Sequence, residues 1–258
     1  QHAGGEIEQH NAGPGGPPVF EWVDLSGTPA TQRRHALEAE TTRLQASLNL
    51  AEGPLVRVAC FDLGPDEPGR LLIVVHHLAM DGVSWRILLE DLQAAYRQAA
   101  AGAPIRLPAK TTSFQAWARR LVTHARSKAV QAELPLWLDI ARRPVEPLPV
   151  DFVPPAVAAN GDEASERSVQ VTLTEAETQA LLQGALPAFR AEINDVLLAG
   201  LAHALRNWTG SPQVLIELEG HGREELAADL DISRTIGWFT TIYPVAFDLR
   251  GVRQPADA

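Results

Sequence analysis

The sequence has 258 residues, enough to bury a substantial core as one large domain or as two lobes. Lys and Arg number 22 against 32 Asp and Glu, a net charge of -10 with no basic run, which argues against a nucleic-acid partner because phosphate binding needs a cationic face. A single cysteine, Cys60, excludes an intrachain disulfide and a cysteine-built zinc site; without a membrane-length apolar run or a signal-peptide pattern, the expected location is the cytoplasm.

In chain order, residues 1–18 are rich in Gly, Pro and polar residues and read as a loop-like opening. VFEWVDL (19–25) alternates as a short strand, and residues 30–48 carry Ala36, Leu37, Leu44 and Leu48 among charges, as a surface helix does. PLVRVACFDL (54–63) and RLLIVVHH (70–77) are two β-rich runs parted by GPDEPG, the pattern of a hairpin. From Val83 the apolar spacing becomes helical through Trp85, Leu88, Leu89, Leu92, Ala95 and Tyr96. A second helix is expected over 113–131, opened by Ser113, and a shorter third over 134–141. Residues 142–165 are proline-rich and aperiodic, the pattern of a linker. RSVQVTLT (167–174) then reads as a strand, with Thr174, Glu175 and Glu177 starting a helix. INDVLLAGLAHALRNW (193–208) is an apolar helix stopping at Thr209-Gly210; Val214–Leu218 and IGWFTTIYPVAFDL (236–249) complete the strands. Starting at Gln1 and ending just after a strand-like run, the sequence reads as a fragment.

Two places concentrate chemistry. LLIVVHHLAMDGVSWR (71–86) drives an apolar strand into His76, His77, Asp81 and Gly82 before a helix begins. Imidazoles and a carboxylate at a core strand's end need hydrogen-bond partners once water is removed. One histidine packing inward while Asp81 caps the helix or holds an arginine is a structural account. A His-His-Asp metal triad is a second, opposed by strand alternation, which turns adjacent side chains to opposite faces. General acid/base chemistry is a third, since imidazole titrates near neutrality. The other place is EGHGRE (219–224), where Val214–Leu218 empties into Glu219, His221, Arg223 and Glu224. It is either a solvated turn or a second acid/base carboxylate, and Arg223 has the charge to pair with Asp81.

HHLAMDGVSWRILLEDL (76–92), NDVLLAGLAHALRNWTG (194–210), EGHGRE (219–224) and RTIGWFTTIYPV (234–245) together resemble the epimerization domains of nonribosomal peptide synthetases. HHxxxDG alone is shared with condensation domains and related acyltransferases, whereas EGHGRE followed by RTIGWFTTIYPV is specific. The resemblance implies an α/β, two-lobed fold like chloramphenicol acetyltransferase with a tunnel between the lobes. Here it is incomplete: an N-terminal lobe at 1–141 lacking its opening segment, an interlobe linker at 142–165, and the first part of the C-terminal lobe at 166–258. The larger part of that second lobe is missing, along with the elements that bridge the lobes.

The same resemblance implies inversion, L to D, at the α-carbon of an aminoacyl or peptidyl thioester. That thioester rides on the phosphopantetheine of a peptidyl carrier protein, so the implied partners are that carrier and other synthetase domains, with no bound cofactor, metal, nucleic acid or membrane. His77 and Glu219 are the implied catalytic pair, Glu219 favoured as base and His77 as its partner or enolate stabiliser. His76, Asp81, Gly82, His221 and Arg223 support the site; Ser84, Trp85, Trp238 and Tyr243 are the expected substrate-binding positions. Two alternatives stay open: a peptide-bond-forming condensation domain, and a non-catalytic lobe that docks carrier or adenylation partners.

Overall fold

The computed structural model describes Gln9, residues 19–151 and residues 167–252. The expected loop-like opening, apart from Gln9, and most of the 142–165 linker lie outside the described residues. The chain divides into two compact units: one holds residues up to His124 together with His221–Thr240, the other Ala125–Gly220 together with Thr241 onward.

In the first unit, β1 (Phe20–Asp24) leads through α1 (Ala30–Ala46) to β2 (Val56–Asp62), which pairs with β1 in parallel, Trp22 opposite Cys60. A parallel pair needs a crossover, and α1 supplies it. Alternation along β2 turns Ala59 and Phe61 inward, where they join Leu25, Leu44 and Leu63 as a core, with Ala36 and Leu37 of α1 packed against it. Leu44 and Phe61 are almost completely buried, each contributing about 1.5–3 kcal/mol of transfer free energy. β3 (Arg70–Val75) returns antiparallel along β2, Val75 opposite Val56, making the sheet order β1-β2-β3. α2 (Gly82–Ala100) and α3 (Phe114–Ala125) follow.

The second unit contains α4 (Lys128–Ala132), α5 (Leu134–Arg142), α6 (Glu175–Gln179), a π-helical turn (Ala180–Ala185), α7 (Leu186–Phe189) and α8 (Ile193–Thr209). A two-stranded antiparallel sheet, β4 (Gln213–Gly220) with β5 (Thr241–Asp248), completes it; α8 packs on β4 and α5 on β5. α6 begins with a capping box between Thr174 and Glu177, and α8 ends at Gly210 in the left-handed conformation.

The structure departs from the sequence expectations at four places. The 113–131 helix breaks after Ala125, because the Ser127 side chain accepts from Val130 N and caps a new helix there. RSVQVTLT forms no strand: Val169 and Val171 are 92% and 89% exposed, so their alternation buries nothing. The 236–249 strand starts only at Thr241, and the residues before it pack within the first unit. The first unit closes at His124 rather than 141, since α5 packs on β5, and it regains residues 221–240 from the far half of the chain.

Candidate functional site

The strand β3 delivers His76, whose backbone N–H donates to Leu55 O (2.9 Å) and so extends the β2–β3 pairing. Its ring then turns the chain: His76 Nδ1 accepts from Leu78 N at 3.1 Å, while Ala79 N and Met80 N donate to the carbonyls of His76 and His77. The tight turn is therefore made at His77–Ala79, and Gly82 has open space where a Cβ would stand. His76 is half-buried and its ring is bound by the turn it makes. His77 is exposed, and its imidazole meets the Trp238 indole, ring centroids 5.8 Å apart at 63°.

Asp81, 2% exposed, is the hub beneath this turn. As N-cap of α2 it accepts from Ser84 N at 2.8 Å, and it accepts further from Phe239 N (3.0 Å) and Arg223 Nη2 (3.2 Å). Its own N–H donates to Gly237 O. Burial pushes the Asp81 carboxyl up, but the Ser84 N–H and hydroxyl, Phe239 N–H and the Arg223 charge together outweigh it and hold the group below its ordinary range.

Ser84 is expected at the substrate from the sequence; the structure corrects this. Its side chain is fully buried, the hydroxyl lying 2.8 Å from Asp81 Oδ1 and 3.0 Å from Gly237 O, sharing one proton between them. It also accepts from Gly237 N (3.2 Å) and Arg223 Nη2 (2.8 Å), which leaves no capacity for a ligand. Trp85, one position on, is half-buried.

Arg223 forms the ion pair with Asp81 that their charges allow. Gly222 at φ 64° turns the chain between His221, whose Nδ1 accepts from Arg223 N, and the arginine itself. The guanidinium spreads over Ile232 O, Thr235 O, Asp81 and Ser84, and lies 4.0 Å from the Phe239 ring centroid. His221 is exposed, with Nδ1 3.7 Å from Glu224. Phe239 completes a cluster with Phe114 and Trp117 at 5.2 and 4.7 Å. The residues 221–240 are fastened further by Thr235 Oγ1 to Thr112 O and by Arg234 to Glu90 and Asp91, whose carboxylates raise the guanidinium's pKa.

Sequence reasoning misses Gly237, Phe239, Phe114 and Trp117. The available signal is a glycine inside an apolar run, which marks close backbone approach rather than a regular strand.

In the second unit Glu219 stands near the end of β4, exposed, opposite Ile242 of β5. Directly opposed residues share a sheet face and successive ones alternate, so Glu219 shares its face with Glu217 and Ile242. Tyr243 pairs with Leu218 and lies on the other face, against Gly220, where an added Cβ would stand 3.3 Å from the tyrosine ring. The structure therefore does not bring Tyr243 to Glu219. Among the described residues no group of His, Cys, Asp and Glu has the arrangement of a metal site, and no helix is long and apolar enough to cross a membrane.

A family model described as Condensation domain matches residues 1–257. One chain of the linear gramicidin synthase of Brevibacillus parabrevis is 52% identical over 229 residues, which is 88% of this chain and 3% of that protein. Tyrocidine synthase 1 of the same organism is 41% identical over 259 residues, 100% of this chain and 23% of its own length. Among solved structures, the epimerization domain from the third module of tyrocidine synthetase B matches with a TM-score of 0.80 at 37% identity, over 92% of this chain and 53% of that one. The first condensation domain of the calcium-dependent antibiotic synthetase matches at 0.63 and 24%, over 93% and 52%. The chain thus spans about half of each matched structure and a small part of the curated relatives.

Proposed function

This chain belongs to the condensation-domain family, with its α/β chloramphenicol acetyltransferase-like fold, and from that premise we propose that it inverts the α-carbon of an aminoacyl or peptidyl thioester. The observation that carries the proposal is the likeness to a solved epimerization domain, TM-score 0.80 and 37% identity, against 0.63 and 24% for a solved condensation domain. The side chains fit the assignment chemically. Asp81 and Ser84 are buried and fully bonded, whereas His77 and Glu219 are exposed and free to meet a substrate.

Glu219 takes the α-proton, and the electron pair left behind passes into a thioester enolate. A protonated His77 returns a proton to the opposite face, or holds the water that does, and water resets both groups. A thioester, unlike an amide, leaves the α-hydrogen acidic enough for a carboxylate to serve. The substrate arrives on the phosphopantetheine of a peptidyl carrier protein in a larger synthetase.

The test is the chain incubated with aminoacyl-loaded carrier in deuterated water, following label uptake and chirality together. Glu219→Gln and His77→Ala each lower α-hydrogen exchange about 10²–10⁴-fold. Near-normal exchange in both variants overturns the assignment. The family match over residues 1–257 favours a second reading, peptide-bond formation with His77 orienting an amine. A lengthened peptide in place of a D/L mixture decides for it.

A further inference from the structure

The His77 imidazole and the Trp238 indole touch at 5.8 Å although both side chains are exposed, Trp238 by 42%. Burial does not hold two exposed rings in one geometry; the backbone beneath them does. Gly237 and Phe239, on either side of Trp238, are both buried and both bonded to the floor of the histidine turn. Gly237 N donates to Ser84 Oγ and Gly237 O accepts from Asp81 N, while Phe239 N donates to Asp81 Oδ2. Met80 N, the next donor back along that turn, binds His77 O. The imidazole and the indole are therefore mounted on one hydrogen-bonded block, with rotation about their own side-chain bonds as the remaining freedom.

We propose that Trp238 is a positioning residue for His77: the edge contact selects one orientation of the imidazole and keeps its proton-bearing nitrogen aimed at the reacting carbon. An inclined aromatic pair at this separation is a favourable arrangement of ring quadrupoles, and it restricts a side chain that solvent otherwise leaves free to rotate. This goes beyond a substrate-lining role for Trp238, and it rests on His77 being a proton-transfer group.

The test has two arms. In the first, histidine ring resonances of the ¹³C-histidine-labelled chain are followed by NMR, with His77 assigned by its loss in His77→Gln. Trp238→Ala removes the indole ring current from the His77 signals and narrows the difference between free and fixed imidazole, and Trp238→Phe keeps part of the displacement. In the second, α-hydrogen exchange on loaded carrier falls about 10- to 100-fold in kcat for Trp238→Ala with KM held within about twofold, and Trp238→Phe recovers most of the rate. Unchanged His77 signals in Trp238→Ala overturn the proposal. So does a raised KM at unchanged kcat, which marks a substrate wall. A wild-type chain without exchange overturns the epimerase reading instead, and the resonance arm then decides this inference by itself.

Discussion

Arg223 donates to Ile232 O, Thr235 O, Asp81 and Ser84, and no other cation can take its place. A lysine ammonium concentrates its donors at one point and cannot span acceptors spread along a planar fork. Arg223→Lys keeps a charge but cannot hold Asp81, Ser84 and the two carbonyls together, and Arg223→Ala leaves the Asp81 carboxylate buried without its charge partner. The expected loss is about 3–5 kcal/mol, read as a lower urea midpoint at unchanged slope. A loss under about 1 kcal/mol would mean that Ser84 and Phe239 sustain the carboxylate without help. Acid probes the same group. Asp81 is held below its ordinary range, so folding favours its ionised form; that contribution is full above the unfolded-state value of about 4 and disappears as pH falls through the lower folded value. Thermal melts of wild type and Asp81→Asn should differ by a constant gap above about pH 5 and converge in stronger acid. A gap that widens on acidification contradicts this.

At the scale of elements, the short stretch before β5 is fixed by steric fit. A Cβ on Gly237 would stand 2.3 Å from Phe114 Cδ2 and 2.9 Å from Cε2 and Cγ, the side of a ring that is itself wedged against Trp117 and Phe239. Gly237→Ala should therefore cost about 1–3 kcal/mol, with part of the loss recovered when Phe114→Leu is added. Purely additive losses in the double variant refute the contact. The β4–β5 register sorts residues in the same way: Tyr243→Phe should leave exchange within about twofold, whereas Ile242→Asp, on the Glu219 face, should slow it more. Much at this scale was legible. β2 announces itself by the alternation that turns Ala59 and Phe61 inward, β3 by its continuous apolar run from Leu71 to Val75, and α2 by helical apolar spacing, although Leu89, Leu92 and Tyr96 stay exposed. Where the pattern misled, the reason is physical. Val169, Val171 and Leu173 alternate like a strand but stay exposed, and in the run from Ile236 to Thr240 Phe239 packs with Phe114 and Trp117 while Trp238 meets His77, so its apolar character does not come from pairing in a sheet.

On the scale of the whole molecule, the first unit is assembled from two distant stretches of chain. Residues 221–240 supply Arg223, Gly237 and Phe239 to a turn whose own residues lie around position 81. A chain ended after residue 142 lacks all of these partners, so its Asp81 is buried without charge or cap from the far segment. Such a truncation is expected to lose cooperative unfolding in urea and amide protection around Met80–Ser84; retention of both would show the segment to be dispensable. This division was the least legible feature of the sequence. The ordered blocks HHLAMDG, EGHGRE and RTIGWFTTIYPV disclose the family, and their charges disclose the Arg223–Asp81 pair. Which unit a segment packs into depends on contacts across some 140 positions, and no local periodicity encodes them.

The pairing of Gly220 with Thr241 makes residues 221–240 a closed excursion, tied at its base by β4 and β5. On the ribosome, synthesis runs from the N-terminus, so the histidine turn emerges long before the arginine that neutralises its aspartate. Until the late strand is released, Asp81 must remain wetted and the turn unset. The nascent chain thus carries the turn unfinished through the synthesis of the 142 positions that separate Asp81 from Arg223.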